Sequence, residues 1–330
     1  MCSMSVRAIF QAAKVADASS PYDTIHLKVF YPAQMSGSDQ EQDMGVVPAD
    51  EKRSPFKVVI FFNGINCGPE IYQWLAVKLA ERGLVVVTFA WVSQNIPGMV
   101  ALTPGVDLKN LAPNTYGTAP TASALPTLLA ELERLQSEGV LAGLLDLQNI
   151  ILGGHSAGGR VAIESASPQF FPQVVAAFAY GAHTAAILQL GYPPNTILPL
   201  PDALPLMLIG GTCDGVIAKS SHRYGVDWEQ ATTPVARTFK EAIAANRGDS
   251  YLLLLEGANH FSIAHPFDST TGRPFLDFPA TQPEEQLRNL IAEAIGLFID
   301  AHVCHQSSAI ETLNQHLVTH NPLIASFECK

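Results

Sequence analysis

The segment Gly154-His155-Ser156-Ala157-Gly158 has the G-x-S-x-G spacing that lifts a serine hydroxyl to the apex of a turn too sharp for side chains on its neighbours. The context fits: Ile150-Ile151-Leu152-Gly153 reads as a strand before it, and Arg160-Val161-Ala162-Ile163-Glu164 as a helix after it. A hydroxyl is a weak nucleophile, so this chemistry needs a histidine base and an acid that orients it, in the chain order serine, acid, histidine. Asp214 follows the apolar run 206–210 on a glycine-flanked loop, and His260 follows 252–255 in Glu256-Gly257-Ala258-Asn259-His260-Phe261. These residues predict Ser156 as nucleophile, His260 as general base and then general acid, and Asp214 as the group that fixes the histidine tautomer. His265 is the rival base, and Asp202 and Glu256 are rival acids. His183 and His222 precede the last of these strands, while His26 and the C-terminal His302, His305, His316 and His320 suit packing or surface roles.

A tetrahedral intermediate also needs two backbone N–H donors. Ala157, after the nucleophile, supplies one; Ile65, in the loop Phe62-Asn63-Gly64-Ile65-Asn66-Cys67-Gly68, is assigned the other. Gly64 lets that loop turn inward, the Asn63 side chain is placed to tie it down, and Cys67 reads as a small buried hydrophobe. Candidate substrate contacts are Ile65, Asn66 and His155 near the nucleophile, with Met99, Leu102, Ile187 and Leu188 from two long apolar loops, 91–119 and 181–205. Loops of this kind at strand ends suit a greasy ligand under a lid. There is no G-x-x-x-x-G-K-[ST] or G-x-G-x-x-G phosphate loop and no metal-ligand spacing, so no cofactor and no metal are implied.

Positioning such groups takes an α/β fold with a mostly parallel central sheet and helices on both faces. Short apolar runs at 56–62, 84–89, 149–152, 174–180, 204–209 and 251–255 read as its buried strands. Thr24 to Tyr31 alternates as an earlier antiparallel strand, stopped by Pro32. Helical spacing appears in Ile71, Trp74, Leu75, Leu79, in Leu125, Leu128, Leu129, Leu132, Leu135, and in Leu287, Leu290, Ile291, Ile295, Phe298. The last of these is expected to open with a Thr281-Gln282-Pro283-Glu284 capping box. Residues 33–55 read as a mobile surface loop, and 305–330 as an extension holding a short helix near 309–318 and a tail. The whole chain, 1–330, reads as one domain.

Composition narrows the partners. With 48% hydrophobic residues and a net charge of −11, the chain can bury a large core and offers no basic footprint for nucleic acid. The first ten residues do not read as a secretory signal, and no run approaches the roughly 18 apolar residues of a membrane span. Peripheral contact with a membrane through the apolar loops stays open. Cys2, Cys67, Cys213, Cys304 and Cys329 are odd in number and scattered, which suits a reducing, cytoplasmic setting; Cys304 and Cys329 pair only if folding joins them.

From about residue 24 to 300 the chain resembles the α/β-hydrolase superfamily, on the elbow at Ser156, the loop of Asp214 and Asn259-His260-Phe261. Within it the chain is similar to the branch of chlorophyllases, dienelactone-hydrolase-like enzymes and bacterial polyester hydrolases. That likeness rests on Asn63-Gly64, on Leu79-Ala80-Glu81-Arg82-Gly83 before Leu84-Val85-Val86-Val87, and on Gly153 to Gly159. The resemblance implies hydrolysis of a carboxylic ester through an acyl-enzyme, with chlorophyll, giving chlorophyllide and phytol, as leading substrate. A short-chain ester, lactone or polyester is the alternative, and a non-catalytic binder of an apolar ligand a further one. Plant chlorophyllases carry Arg where this chain has Ala157, and an acid where it has Ala179-Tyr180-Gly181-Ala182-His183. The acid position here is more like that of the polyester and dienelactone hydrolases.

Overall fold

The computed structural model describes residues 5–96, 98–318 and 321–330. Cys2 and His320, and the side chains of Ile96 and His316, lie outside the described residues. In chain order the strands are β1 (Ser5–Lys14), β2 (Thr24–Ala33), β3 (Phe56–Phe62), β4 (Val85–Ala90), β5 (Val92–Ile96), β6 (Met99–Leu102), β7 (Leu145–His155), β8 (Val174–Tyr180), β9 (Leu206–Gly211), β10 (Ser250–Leu255) and β11 (Ile324–Cys329). The helices are α1 (Asp39–Met44), α2 (Gln73–Glu81), α3 (Leu125–Ser137), α4 (Ala157–Ser165), α5 (Gly215–Lys219), α6 (Thr233–Arg237), α7 (Glu284–His302) and α8 (Ser307–Val318).

The apolar runs form the centre of a nine-stranded sheet in the order β1-β2-β4-β3-β7-β8-β9-β10-β11. Pairing is parallel from β4 to β10, with an antiparallel β1–β2 pair added at one edge and β11 at the other. Because successive strand residues face opposite sides, each run feeds two cores. Val58, Ile60, Phe62 and Leu152 pack with α3 and α4 on one face, and Val59, Phe61 and Ile151 with α2 and α7 on the other. The chain steps from β3 to β4, then crosses back to β7 and advances through β10. Strand order therefore reverses between β3 and β7, and the crevice beyond the strand ends at such a point is where open α/β sheets hold ligands.

At that point helix and strand approach as closely as backbone permits. A Cβ on Gly158 would overlap the carbonyl oxygens of Phe62 and Asn63, neither of which can move aside as a side chain would. Gly158→Ala is therefore expected to destabilise the protein by about 3 kcal/mol, the upper end of overpacking costs, read as a lower urea midpoint at unchanged slope.

Several expectations need correction. Pro32 does not stop β2, which runs on to Ala33 with Pro32 opposite Val6. The last β4 pair is Phe30 with Val86; beyond it the segment 48–50 takes that side, where the Pro32 carbonyl accepts from the Asp50 N–H at 3.0 Å and no N–H is asked of the proline. Residues 33–55 are not a structureless loop: Ser38 caps α1 by accepting from the Glu41 N–H, and the Tyr31 hydroxyl donates to the Val47 carbonyl at 2.7 Å. Thr281 caps nothing. It sits against Gly257, to whose carbonyl its N–H donates at 2.9 Å, and α7 starts behind Pro283. The C-terminal tail becomes β11. Cys304 and Cys329 are both free thiols.

Candidate active site

β7 ends at His155 and α4 begins at Ala157, so Ser156 alone makes the turn. Its backbone sits at φ 56°, ψ −124°, a strained conformation for a residue with a Cβ. The Ser156 N–H donates to the Tyr180 carbonyl (2.9 Å), and its own carbonyl accepts from the Arg160 N–H (3.0 Å), so the neighbouring strand β8 and the helix α4 hold the strain. His260, carried past β10, and Asp214, carried past β9, meet behind it: His260 Nδ1 donates to Asp214 Oδ2 at 2.7 Å. The other carboxylate oxygen accepts from the Ile217 N–H at 2.8 Å, which locks the Asp214 rotamer. Gly181 makes this pair possible. It has φ +61°, and a Cβ there would lie 3.1 Å from His260 Nδ1 and 3.4 Å from Asp214 Oδ2.

Ser156, Ala157, His260 and Ile65 line one cavity of about 620 Å³. Of the expected substrate contacts, Asn66, Met99 and Ile187 also line it. Leu102, Leu188 and His155 do not. Leu102 serves through its backbone, whose N–H donates to Asn66 Oδ1 at 3.0 Å while its carbonyl accepts from the Asn66 N–H. Leu188 packs beside Gly225, and Gln189 and Leu190 face the cavity in its place. The rivals stand apart: His265 and Glu256 are exposed, and Asp202 accepts from the Ala245 N–H. Loop 91–119 contributes Met99, Val106 and Leu108 after folding partly into the β5–β6 ribbon.

His155 is fully buried and does different work. The Gly64 N–H donates to the Tyr72 hydroxyl (3.2 Å), and that hydroxyl donates its own proton to His155 Nδ1 (2.8 Å), because the other ring nitrogen faces a carbonyl that can only accept. Nε2 then carries the proton and donates to the His260 carbonyl at 3.0 Å. Burial, and secondarily the neighbouring His260, hold the His155 pKa well below the ordinary histidine value, so the ring is the neutral tautomer this chain requires. The strut thereby ties the loop after β3 to the loop of His260. Asn63 ties the former down as expected, donating to the carbonyls of Gly64 (2.9 Å) and Cys67 (3.1 Å). Cys67 is buried, which pushes its thiol up to about 11.

Sequence reasoning misses Asp277. Its Oδ1 accepts from the Gly215 N–H at 2.8 Å and its Oδ2 from the Phe261 N–H at 3.2 Å, the residues immediately after Asp214 and His260. Burial raises its pKa, as does the nearby Asp214. No motif marks it; the signal is only an aspartate inside the apolar stretch Pro274-Phe275-Leu276-Asp277-Phe278. Arg160 and Glu164, on the helix that follows the elbow, form an ion pair at 2.8 Å in the cavity wall, with both side chains largely buried.

No protein-family model matches the chain, and no curated protein is significantly similar to it. Among the described residues no helix is long and apolar enough to cross a membrane, and no group of three or more His, Cys, Asp or Glu is placed to hold a metal ion.

Proposed function

We propose that this protein is a serine carboxylic-ester hydrolase of the α/β-hydrolase kind, with Ser156, His260 and Asp214 as its triad. The observation that carries the reading is the 2.7 Å bond from His260 Nδ1 to Asp214, which leaves Nε2 as the ring's acceptor in the cavity that Ser156 also lines. In the first half-reaction His260 Nε2 takes the Ser156 proton as Oγ adds to the ester carbonyl, and returns it to the departing alkoxide. Water then repeats the sequence on the acyl-enzyme, releasing the acid and restoring Ser156. The Ala157 and Ile65 amides are assigned to the oxyanion, and strain at Ser156 keeps its hydroxyl forward without reorganisation.

The leading substrate is an apolar ester, chlorophyll first, supported by the resemblance of the elbow and by Met99, Val106, Leu108 and Ile187 around the cavity. A second reading, a shorter ester or lactone or a polyester segment, draws on the volume: about 620 Å³ encloses a drug-sized ester whole, whereas a chlorophyll macrocycle would remain outside. Chromatography of chlorophyll in mild detergent, run beside p-nitrophenyl esters of graded chain length, separates them. Chlorophyllide from the wild type, and none after fluorophosphonate treatment, is the expected result. Ester turnover without chlorophyllide selects the second reading, and no turnover and no probe labelling of folded protein would leave a binding protein.

Asp277 is expected to act through the triad loops. An asparagine in its place would offer one acceptor oxygen where the carboxylate offers two, turning an amide NH₂ against a backbone N–H of Gly215 or Phe261. Asp277→Asn should lower kcat about 10- to 100-fold with KM nearly unchanged, since small misplacements of catalytic groups have effects of that size. Unchanged kcat would reduce Asp277 to a structural residue.

A further inference from the structure

Residues 267–278 follow the loop of His260 and reach the cavity at Gly272 and Arg273, and they expose aromatic rings that folding would ordinarily cover. Phe267 is 54% exposed, Phe275 76% and Phe278 39%. The strip is anchored from beneath: Phe267 packs edge-on against Phe261 in the cavity wall, and Asp277 and Gly215 join it to α5.

Cations are gathered on the same face. Lys219 Nζ lies 4.8 Å from the Phe278 ring centre, Arg273 reaches Ser220 Oγ at 3.5 Å, and Arg223, on the next turn at 221–224, lines the cavity wall with Arg273. None of these three forms an ion pair with a carboxylate among the described residues, although the chain has 30 acidic side chains against 19 basic ones. The carboxylate that faces this strip from its own segment is Asp268, occupied by Thr270 and Thr271; Asp277 is turned inward. A small anion inside the cavity would account for Arg223 and Arg273. It would not account for Lys219, which is outside the cavity, or for three phenylalanines facing water.

We propose that residues 267–278, with Lys219, Arg223 and Arg273, form a docking face for an anionic lipid surface, holding the cavity mouth against it. Aromatic rings enter the headgroup boundary while basic side chains meet its negative potential. The net charge of −11 opposes approach at a distance, but at about 0.1 M salt the Debye length is about 10 Å, so the surface senses the near face and little of the rest. An ester dissolved in that surface would then reach Ser156 without crossing water. Docking itself does not rest on the hydrolase reading, and Ser156→Ala protein is expected to dock like the wild type.

The test is co-sedimentation of the full chain with phosphatidylcholine vesicles, alone or with about one third phosphatidylglycerol, at about 0.1 M salt. Wild type should pellet with the anionic vesicles only. Each basic residue near such a surface is worth about fivefold in partition, so Lys219→Glu with Phe275→Ser should lower pelleting more than tenfold. Both residues are exposed and outside the cavity wall, so turnover of a soluble short ester should not change, and the loss of the Lys219 contact with Phe278 should lower the thermal midpoint by no more than a few degrees. Equal pelleting with both vesicle types, no pelleting with either, or full pelleting of the variant would each overturn the proposal. Stabilisation by a soluble carboxylate in the absence of pelleting would reassign Arg223 and Arg273 to a ligand inside the cavity.

Discussion

Ser156→Ala protein is expected to fold and to lose about 10⁶-fold in kcat, the scale on which removal of a triad nucleophile acts. The fold should tolerate it because Ser156 holds its place through its backbone, bonded to Tyr180 and Arg160, and not through its hydroxyl. Alanine has the same Cβ and so bears about the same strain at φ 56°, which keeps the stability change below about 1 kcal/mol. Labelling by a fluorophosphonate should vanish together with ester turnover, while the thermal midpoint stays within a few degrees. A variant that retained more than a trace of turnover would move the nucleophile elsewhere and end the proposed mechanism. A variant that failed to fold would instead implicate the hydroxyl in holding the elbow, and the labelling of wild type would then have to carry the assignment.

Ser156, Asp214 and His260 were legible because each occupies a loop directly after an apolar run, and the ends of parallel strands converge at one edge of a sheet. Loop residues that reach the cavity through their own local turn were less so. Met99 and Ile187 arrive there, but Leu102 and Leu188 turn away, since an irregular loop has no period from which to read its faces. Edge strands are harder to read, because a partner decides whether they exist. β1 and β11 exist as antiparallel additions at the two sheet edges, and their half-buried residues give a weak pattern until a neighbour is known. His155 and Asp277 mark a different limit. The Tyr72–His155 bond spans 83 positions and the Asp277–Gly215 bond 62, and a buried network of that kind is defined by tertiary approach alone. Both act on backbone groups of the triad loops, the one class of contact for which residue type carries almost no signal.

Asp214→Asn is the sharper test of how the triad works, because it keeps shape and changes only which atom bears a proton. In the wild type one carboxylate oxygen accepts from the Ile217 N–H and the other from His260 Nδ1–H. Asparagine has one acceptor. If that oxygen stays with Ile217, the NH₂ faces Nδ1, which must then accept; the proton moves to Nε2, where it blocks transfer from Ser156. The expected loss is about 10⁴-fold in kcat near neutral pH, as for the corresponding change in a serine protease, with little change in KM. Asp277 cannot substitute, since its oxygens already serve Gly215, Phe261 and its neighbour Phe278. The two aspartates therefore predict an ordering that kinetics can check: Asp214→Asn should be at least 100-fold more damaging than Asp277→Asn. The reverse ordering would make Asp277 the orienting acid and Asp214 its support, a result that the 2.7 Å contact of Asp214 with His260 argues against.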